Sequence, residues 1–212
     1  MILRSVRILT FLALLLVFYG CARPTPSVRQ QPPSSKITEA PPSTKITPAL
    51  FKAPTEEERK LYLLINSYRS RWSLPSIPLS KSLCHVAQTH GRDLNHTLPH
   101  PPCNVHSWSA HGLWLPVCYK DNHEGADRMW SKPRELTNYD GNGFEIVSWV
   151  SGNLPVDVHS VMLGWQRSSE HKAVLLNQSL WSSFKWKAMG VGIYKNVAVV
   201  WFGEEGDPAG YW

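Results

Sequence analysis

Nine histidines are the main chemical resource of this chain, and two of them stand in contexts that favour a functional site. His106 lies in the segment Cys103-Asn-Val-His-Ser-Trp-Ser109, and His171 lies at the start of a predicted helical turn. Neutral imidazoles are good zinc ligands and good general bases. The 65 positions between the two histidines are not a metal-ligand spacing, so only the fold can bring them together.

The commonest catalytic signatures are missing from the sequence. There is no G-x-S-x-G nucleophile elbow, no G-x-x-x-x-G-K-[ST] phosphate loop and no H-E-x-x-H zinc motif. Gly141-Asn-Gly143 is interpreted as a turn, because it lacks a third glycine and a preceding strand. His90 falls on the apolar face of a predicted helix, which favours a hydrogen-bonded core residue.

The charge distribution excludes one class of partner. The formal net charge is +6, but the excess lies in the first 54 residues, and beyond them acidic and basic side chains are equal in number. A nucleic-acid-binding domain needs a basic face that neutralises phosphates. We therefore expect no nucleic-acid partner.

The N-terminus is predicted to be an export signal. Residues 1–20 are predicted to be a signal peptide, because two arginines precede an apolar run that is too short to span a bilayer. The sequence Phe-Tyr-Gly-Cys that ends at Cys21 is similar to a bacterial lipobox. It predicts lipidation of Cys21 and a membrane-anchored lipoprotein at the cell envelope. Cleavage by an ordinary signal peptidase, which yields a secreted protein, is the alternative.

Residues 21–54 are predicted to be the lipidated cysteine followed by a proline-rich linker. Eight of the 17 prolines lie in this segment, together with the near-repeat PPSSKITEA and PPSTKITPA. Such a composition buries too little apolar surface to fold and favours extended polyproline geometry. The linker is expected to hold a single domain, residues 55–212, away from its anchor.

The elements that must position the histidines lie in that domain. Thr55-Glu-Glu-Glu58 predicts the start of a first helix, Ser80 the start of a second and Pro155 the start of a third. The runs 188–194 and 197–202 are separated by two residues and predict a hairpin.

The segment between the second and third helices, from Asn95 to Pro133, is predicted to be a long loop. The order of the elements predicts an α+β fold with a small antiparallel sheet.

Three cysteines follow the linker, and export places them in an oxidising compartment. Cys103 and Cys118 flank an irregular segment, where a disulfide stabilises most, by about 3 kcal/mol for a loop of this length. Cys84 lies inside a helical pattern and is predicted to be a buried free thiol.

Six short motifs resemble, in their order, the CAP superfamily, which includes cysteine-rich secretory proteins, venom allergens and plant pathogenesis-related proteins, and whose domain is also called the SCP domain. The motifs are Asn66-x-x-Arg69, Leu83-x-x-Val86-Ala87-x-x-His90, Cys103–Ser109, Gly143-Phe-Glu145, Trp165-x-x-Ser168-x-x-His171 and Gly190-Val-Gly192. The resemblance covers residues 55–212 and implies an α-β-α sandwich with a central cleft that holds two histidines and two glutamates.

The resemblance also assigns the cleft residues. By motif, His106 corresponds to the first histidine, Glu145 to the first glutamate and His171 to the second histidine. Ser168 stands where the second glutamate is expected, and Glu170 is the nearest carboxylate. The resemblance therefore assigns three of the four cleft residues.

The function implied by the resemblance is that of a non-catalytic extracytoplasmic module that binds a small ligand, a lipid, a peptide or a protein partner. His106 and His171 are expected to bind zinc weakly, because two protein ligands leave the other positions open. Glu145 has three open roles: orienting a histidine, holding a metal-bound water or acting as a general base. Two alternatives stay open, a zinc-assisted hydrolase of peptide or cell-envelope bonds and a lipid or sterol carrier.

Overall fold

The structure, a computed structural model, describes residues 51–212. The predicted signal peptide, the lipidated Cys21 and the linker up to residue 50 lie outside the described residues. No helix in the described part of the chain is both long enough and apolar enough to cross a membrane. Phe51 is buried and stacks on the ring of His85 with 5.3 Å between centroids, so packed contacts begin before the capping box.

Residues 51–212 form both helices and strands, which confirms the predicted α+β fold. The elements are α1 (Glu56–Ser70), α2 (Lys81–His96), α3 (Ala126–Trp130), α4 (Lys132–Leu136), β1 (Gly143–Trp149), α5 (Val158–Arg167), α6 (Ser169–Leu175), β2 (Ala188–Tyr194) and β3 (Val197–Gly203). The predicted caps are present, since Thr55 and Glu58 form a complete capping box and the Ser80 side chain accepts from the backbone N–H of Leu83.

The three strands form one antiparallel sheet in the order β1-β3-β2. The predicted hairpin is confirmed, and its turn contains Lys195 with a positive φ of 51°. The interpretation of Gly143 as part of a turn was wrong, because Gly143 begins β1 and pairs with Gly203. Strand β1 was not predicted, since its paired residues lie 48 to 60 positions further along the chain and leave no local pattern.

The sheet lies between two helical layers, which confirms the predicted α-β-α arrangement. The alternating side chains of β3 show this directly. Val197, Val199 and Trp201 pack with the buried face of α2. The intervening Ala198, Val200 and Phe202 pack with α1 and α5 on the other side of the sheet.

Two glycines of β2 let α2 lie directly against the sheet. A Cβ atom at Gly190 would stand 2.0 Å from the carbonyl carbon of Leu83, and one at Gly192 would stand 2.3 Å from that of Ala87. The Gly-Val-Gly motif therefore sets the distance between α2 and the strand that it covers.

The segment that was predicted to be a loop contains more helix than expected. Helix α2 continues to His96, and the short helix α3 with the start of α4 occupies the end of the segment. Each of these two helices has five residues, too few to show a periodic pattern, and they are held by the burial of Met129 and Leu136.

Both cysteine predictions are confirmed. Cys103 and Cys118 form a disulfide across a separation of 15 residues, and Cys84 is buried and free. Burial raises the pKa of the Cys84 thiol to about 12, which makes it unreactive at neutral pH.

Candidate functional site

The three residues that the resemblance selected line one cavity of about 430 Å³. The disulfide-closed loop supplies His106, strand β1 supplies Glu145 and helix α6 supplies His171. The fold thus brings together two histidines that lie far apart in the sequence.

Glu145 is the centre of the site. It points to the same side of the sheet as its cross-strand partner Trp201, and its carboxylate is fully buried. Oε1 lies 2.8 Å from Nδ1 of His106, and Oε2 lies 2.5 Å from Nδ1 of His90. Each oxygen of the carboxylate is therefore hydrogen-bonded to an imidazole ring.

His90 is the buried partner of that carboxylate. Its Nε2 lies 2.9 Å from the carbonyl oxygen of Ser107, which can only accept, so Nε2 carries a proton. The ring also stacks on Trp108 at 4.2 Å with 6° between the planes. Helix α2 and the disulfide-closed loop are joined at this point.

The buried pair is an ion pair. Burial by itself disfavours the charged ring, but the Glu145 carboxylate and the Ser107 carbonyl outweigh it and raise the pKa of His90. Burial likewise acts against the carboxylate, and the positive charge of His90 with the hydrogen bonds from His106 and His90 lowers the pKa of Glu145.

His106 is held in one orientation and one tautomer. Its Nδ1–H donates to Glu145, so in the neutral ring Nε2 carries the lone pair. The side chain is 24% exposed, and Nε2 makes no hydrogen bond with any residue in the range 51–212. A carboxylate behind an imidazole is the usual support of a metal-binding histidine.

His171 is oriented in the same way by a hydroxyl. The Ser168 hydroxyl donates to Oε2 of Glu170 at 3.0 Å, so it accepts from Nδ1–H of His171 at 2.7 Å. Burial, followed by repulsion from the His106 ring in its protonated form, lowers the pKa of His171, which favours the neutral ring with its lone pair on Nε2. Ser168 thus supports the second histidine from the position where a glutamate was expected.

The loop that carries His106 is fixed on both sides. The disulfide closes it, and the backbone N–H of His106 donates to the side-chain oxygen of Asn104 at 3.1 Å. Trp108 and Val117 exchange two backbone hydrogen bonds across the loop. His106 therefore lies on a turn that is held by a disulfide and by hydrogen bonds rather than on an unconstrained segment.

The rest of the cleft has a polar and an apolar wall. On the polar wall the hydroxyl of Tyr119 lies 2.6 Å from Nδ1 of His123. On the apolar wall Trp181 lies beside Leu180, whose side chain is 84% exposed. Sequence reasoning missed both walls, and residues 119–123 form no helix, so the spacing of Tyr119 and His123 gave no signal.

The structure also limits what metal site is available. Within residues 51–212, no group of three or more His, Cys, Asp or Glu side chains is arranged to hold a metal ion. Glu145 has no free oxygen, and both oxygens of Glu170 accept from the hydroxyls of Ser168 and Ser169. The Nε2 atoms of His106 and His171 remain as donors in the cleft, and Nε2 of His123 on the polar wall also has no hydrogen-bond partner within residues 51–212.

Comparisons with known proteins give distant structural neighbours only. No protein-family model matches the chain, and no curated protein matches it. One solved structure that it resembles is a cysteine-rich secretory protein from Staphylococcus aureus subsp. aureus Mu50, at 18% identity and a TM-score of 0.47, over 73% of this chain and 41% of that one.

Another is an extracellular protein containing a SCP domain from Bacillus anthracis str. Ames, at 16% identity and a TM-score of 0.48, over 73% of this chain and 45% of that one. The matched region spans less than half of either neighbour. The chain is thus similar to cysteine-rich secretory and SCP-domain proteins.

Proposed function

We propose that this chain is an exported, non-catalytic ligand-binding module of the CAP type, in which His106 and His171 bind Zn²⁺ weakly. The observation that carries the proposal is the buried carboxylate of Glu145, both of whose oxygens are engaged by His90 and His106. This arrangement leaves a lone pair on Nε2 of His106 in a cavity that His171 shares.

The donor set fits a weak zinc site. Both imidazoles are supported at Nδ1, by Glu145 and by Ser168, and such supports fix the tautomer that binds a metal. Two nitrogen ligands are fewer than the three or four of typical zinc sites, so we expect partial occupancy at low zinc concentration. When bound, Zn²⁺ supplies a positive charge and open positions for an oxygen atom of a ligand.

Ligand binding is favoured over hydrolysis by the state of the carboxylates. A zinc-assisted hydrolase needs a carboxylate that can take a proton from a water molecule at the metal. Glu145 is buried behind His106, and Glu170 is held by two serine hydroxyls. Of the three roles open to Glu145, orientation of His106 is the one that its hydrogen bonds support.

A lipid or sterol carrier is the second candidate, and one observation favours it. An apolar groove of about 560 Å³ lies between β1 and α5, lined by Leu154, Val161 and Trp165 among others, and it shares His171 with the cleft. Mass spectrometry of an organic extract of the purified protein tests this function. We expect a bound lipid to be lost in the Leu154→Asp variant, and an extract free of lipid from the wild type contradicts it.

Zinc titration calorimetry on the purified, chelator-stripped full chain tests the proposed site. We expect saturable 1:1 binding that is at least about tenfold weaker in His106→Ala and in His171→Ala, because each removes one of two ligands. His159→Ala is the matched control, since His159 is exposed at the start of α5.

Unchanged zinc affinity in the two cleft variants would refute the shared site. Hydrolysis of a peptide or peptidoglycan panel that is lost with a chelator would replace the binding module by the hydrolase. Export and anchoring are tested separately, by metabolic labelling with a fatty acid, which we expect to be lost in Cys21→Ser.

A further inference from the structure

A second cavity lies on the outer face of α2, away from the histidine cleft. Its volume is about 420 Å³. The helix lines it with side chains that repeat every three or four residues, and the segment 111–114 forms part of the opposite wall. The helix residues that share this face are His85, Thr89, Arg92 and His96.

Arg92 carries a charge that no ion pair within residues 51–212 neutralises. Its guanidinium donates one long hydrogen bond, 3.4 Å, to the hydroxyl of Thr89. Asp93 also lines this cavity, but its side chain is buried and its two oxygens accept from the backbone N–H and the hydroxyl of Ser109 at 2.9 and 2.5 Å. The guanidinium of Arg92 therefore keeps donors for an external anion.

The histidines around Arg92 add polar groups without negative charge. Burial, followed by the positive charge of Arg92, lowers the pKa of His85 to about 4, so this ring is neutral at pH 7. His96 donates its Nδ1–H to the carbonyl oxygen of Arg92 at 2.7 Å. In the neutral ring its Nε2 atom is left as an acceptor for a hydroxyl or for the protonated form of a ligand.

The opposite wall contains His111 and two apolar side chains, Leu113 and Trp114, of which Trp114 is fixed in place. The indole N–H of Trp114 donates to the carbonyl oxygen of Ser109 at 2.8 Å. Its ring covers Gly112, where a Cβ atom would stand 2.0 Å from the indole Cη2 atom. Leu113 lines the same groove and is 82% exposed, so an apolar ligand body placed there would remove it from water.

We infer that this groove binds a small organic anion, a carboxylate or a phosphate carried on an aromatic or aliphatic body, with Arg92 as the charge partner. A planar guanidinium pairs with two oxygens of either anion. Trp114 and Leu113 provide the surface for the apolar body. The site is separate from the zinc cleft, because neither His106 nor His171 lines it.

Calorimetry with phenyl phosphate as the probe tests the inference on the purified full chain. We expect saturable binding that is at least about tenfold weaker in Arg92→Gln, because a hydrogen bond to a charged group is lost. Arg71→Gln is the matched control, since Arg71 is an exposed arginine at the end of α1, on the other side of the sheet. His106→Ala is expected to bind phenyl phosphate like the wild type, which separates this site from the zinc site.

Two further probes separate charge from apolar contact. Inorganic phosphate and benzyl alcohol are each expected to bind at least about tenfold more weakly than phenyl phosphate, because each lacks one of the two interactions. The indole N–H resonance of Trp114, assigned with Trp114→Phe, is expected to shift on saturation. Equal affinity of wild type and Arg92→Gln, or an unshifted Trp114 resonance at saturation, overturns the inference.

Discussion

Glu145 and His90 form a fully buried pair in which the carboxylate Oε2 lies 2.5 Å from the imidazole Nδ1. Of the two, Glu145 borders the cleft with its side chain fully buried, and His90 lies behind it. His106 is attached to the other oxygen of the same carboxylate. The position of the exposed imidazole is therefore determined by a charge that ligands do not reach. We therefore expect stability and the proposed zinc binding to be coupled at Glu145.

Replacing Glu145 by glutamine is expected to cost about 3 kcal/mol of unfolding free energy, because it leaves the buried His90 without its counter-charge. The amide can also accept from only one of the two rings, so zinc affinity falls in the same variant. Urea denaturation and zinc calorimetry measure the two effects. Glu57→Gln is the control, since Glu57 is exposed and its carboxylate forms only a long ion pair, 3.9 Å from Nζ of Lys60. A variant as stable as the wild type would contradict the ion pair.

The pair also predicts a pH profile. The folded-state pKa of Glu145 lies below its usual value of 4.5, so its contribution is present above pH 4.5 and is lost as pH falls through that lowered value. The pKa of His90 lies above 6.5, so its contribution is complete below pH 6.5 and is lost as pH rises through the raised value. Both contributions are complete between pH 4.5 and 6.5.

The difference in unfolding free energy between wild type and His90→Gln isolates this effect. We expect the difference to be largest between pH 4.5 and 6.5 and to shrink above the raised pKa of His90. The lowered pKa values of His85 and His171 act in the opposite direction, and the subtraction removes them. A difference that does not change with pH would show that His90 is uncharged in the folded protein.

Removal of the disulfide is expected to affect both the fold and the cleft. The double variant Cys103→Ser with Cys118→Ser opens a loop of 15 residues and is expected to lose about 3 kcal/mol of stability. Because His106 lies in that loop, zinc binding weakens beyond the level of the Cys84→Ser control. Thermal denaturation and calorimetry give the two values, and an unaltered zinc affinity would mean that the loop holds its shape without the bridge.

The close approach of α2 to the sheet predicts a contrast between two glycines. Gly190→Ala is expected to cost about 3 kcal/mol or more, because its Cβ atom meets the backbone of Leu83 at 2.0 Å. Gly164→Ala in α5 meets nothing within 4 Å, and it is expected to raise stability by about 0.5–1 kcal/mol through helix propensity. Similar melting temperatures for the two variants would argue against this packing.

The helix starts and the hairpin were predictable because their signals are local. The capping box of Thr55 and Glu58 satisfies donors within three residues, and the two-residue turn at Lys195 joins strands that pair with each other. Strand β1 was not predictable in this way, since Gly143 pairs with Gly203 across the whole C-terminal half of the domain. Short helices such as α3 were not predicted, because they depend on packing with the rest of the fold.

The sequence by itself determined the candidates at the site and the chemistry open to them, since the ligand capacity of an imidazole is a property of the residue. It also determined the cysteine pair, because Cys103 and Cys118 lie close along the chain. Tertiary structure alone decided which acceptor each ring meets. Helix α2 and strand β1 bring together His90 and Glu145, which lie 55 positions apart in the sequence. Because the other oxygen of Glu145 accepts from Nδ1–H of His106, the lone pair of His106 is left in the cleft. Such contacts form only when the layers pack, so no local pattern records them.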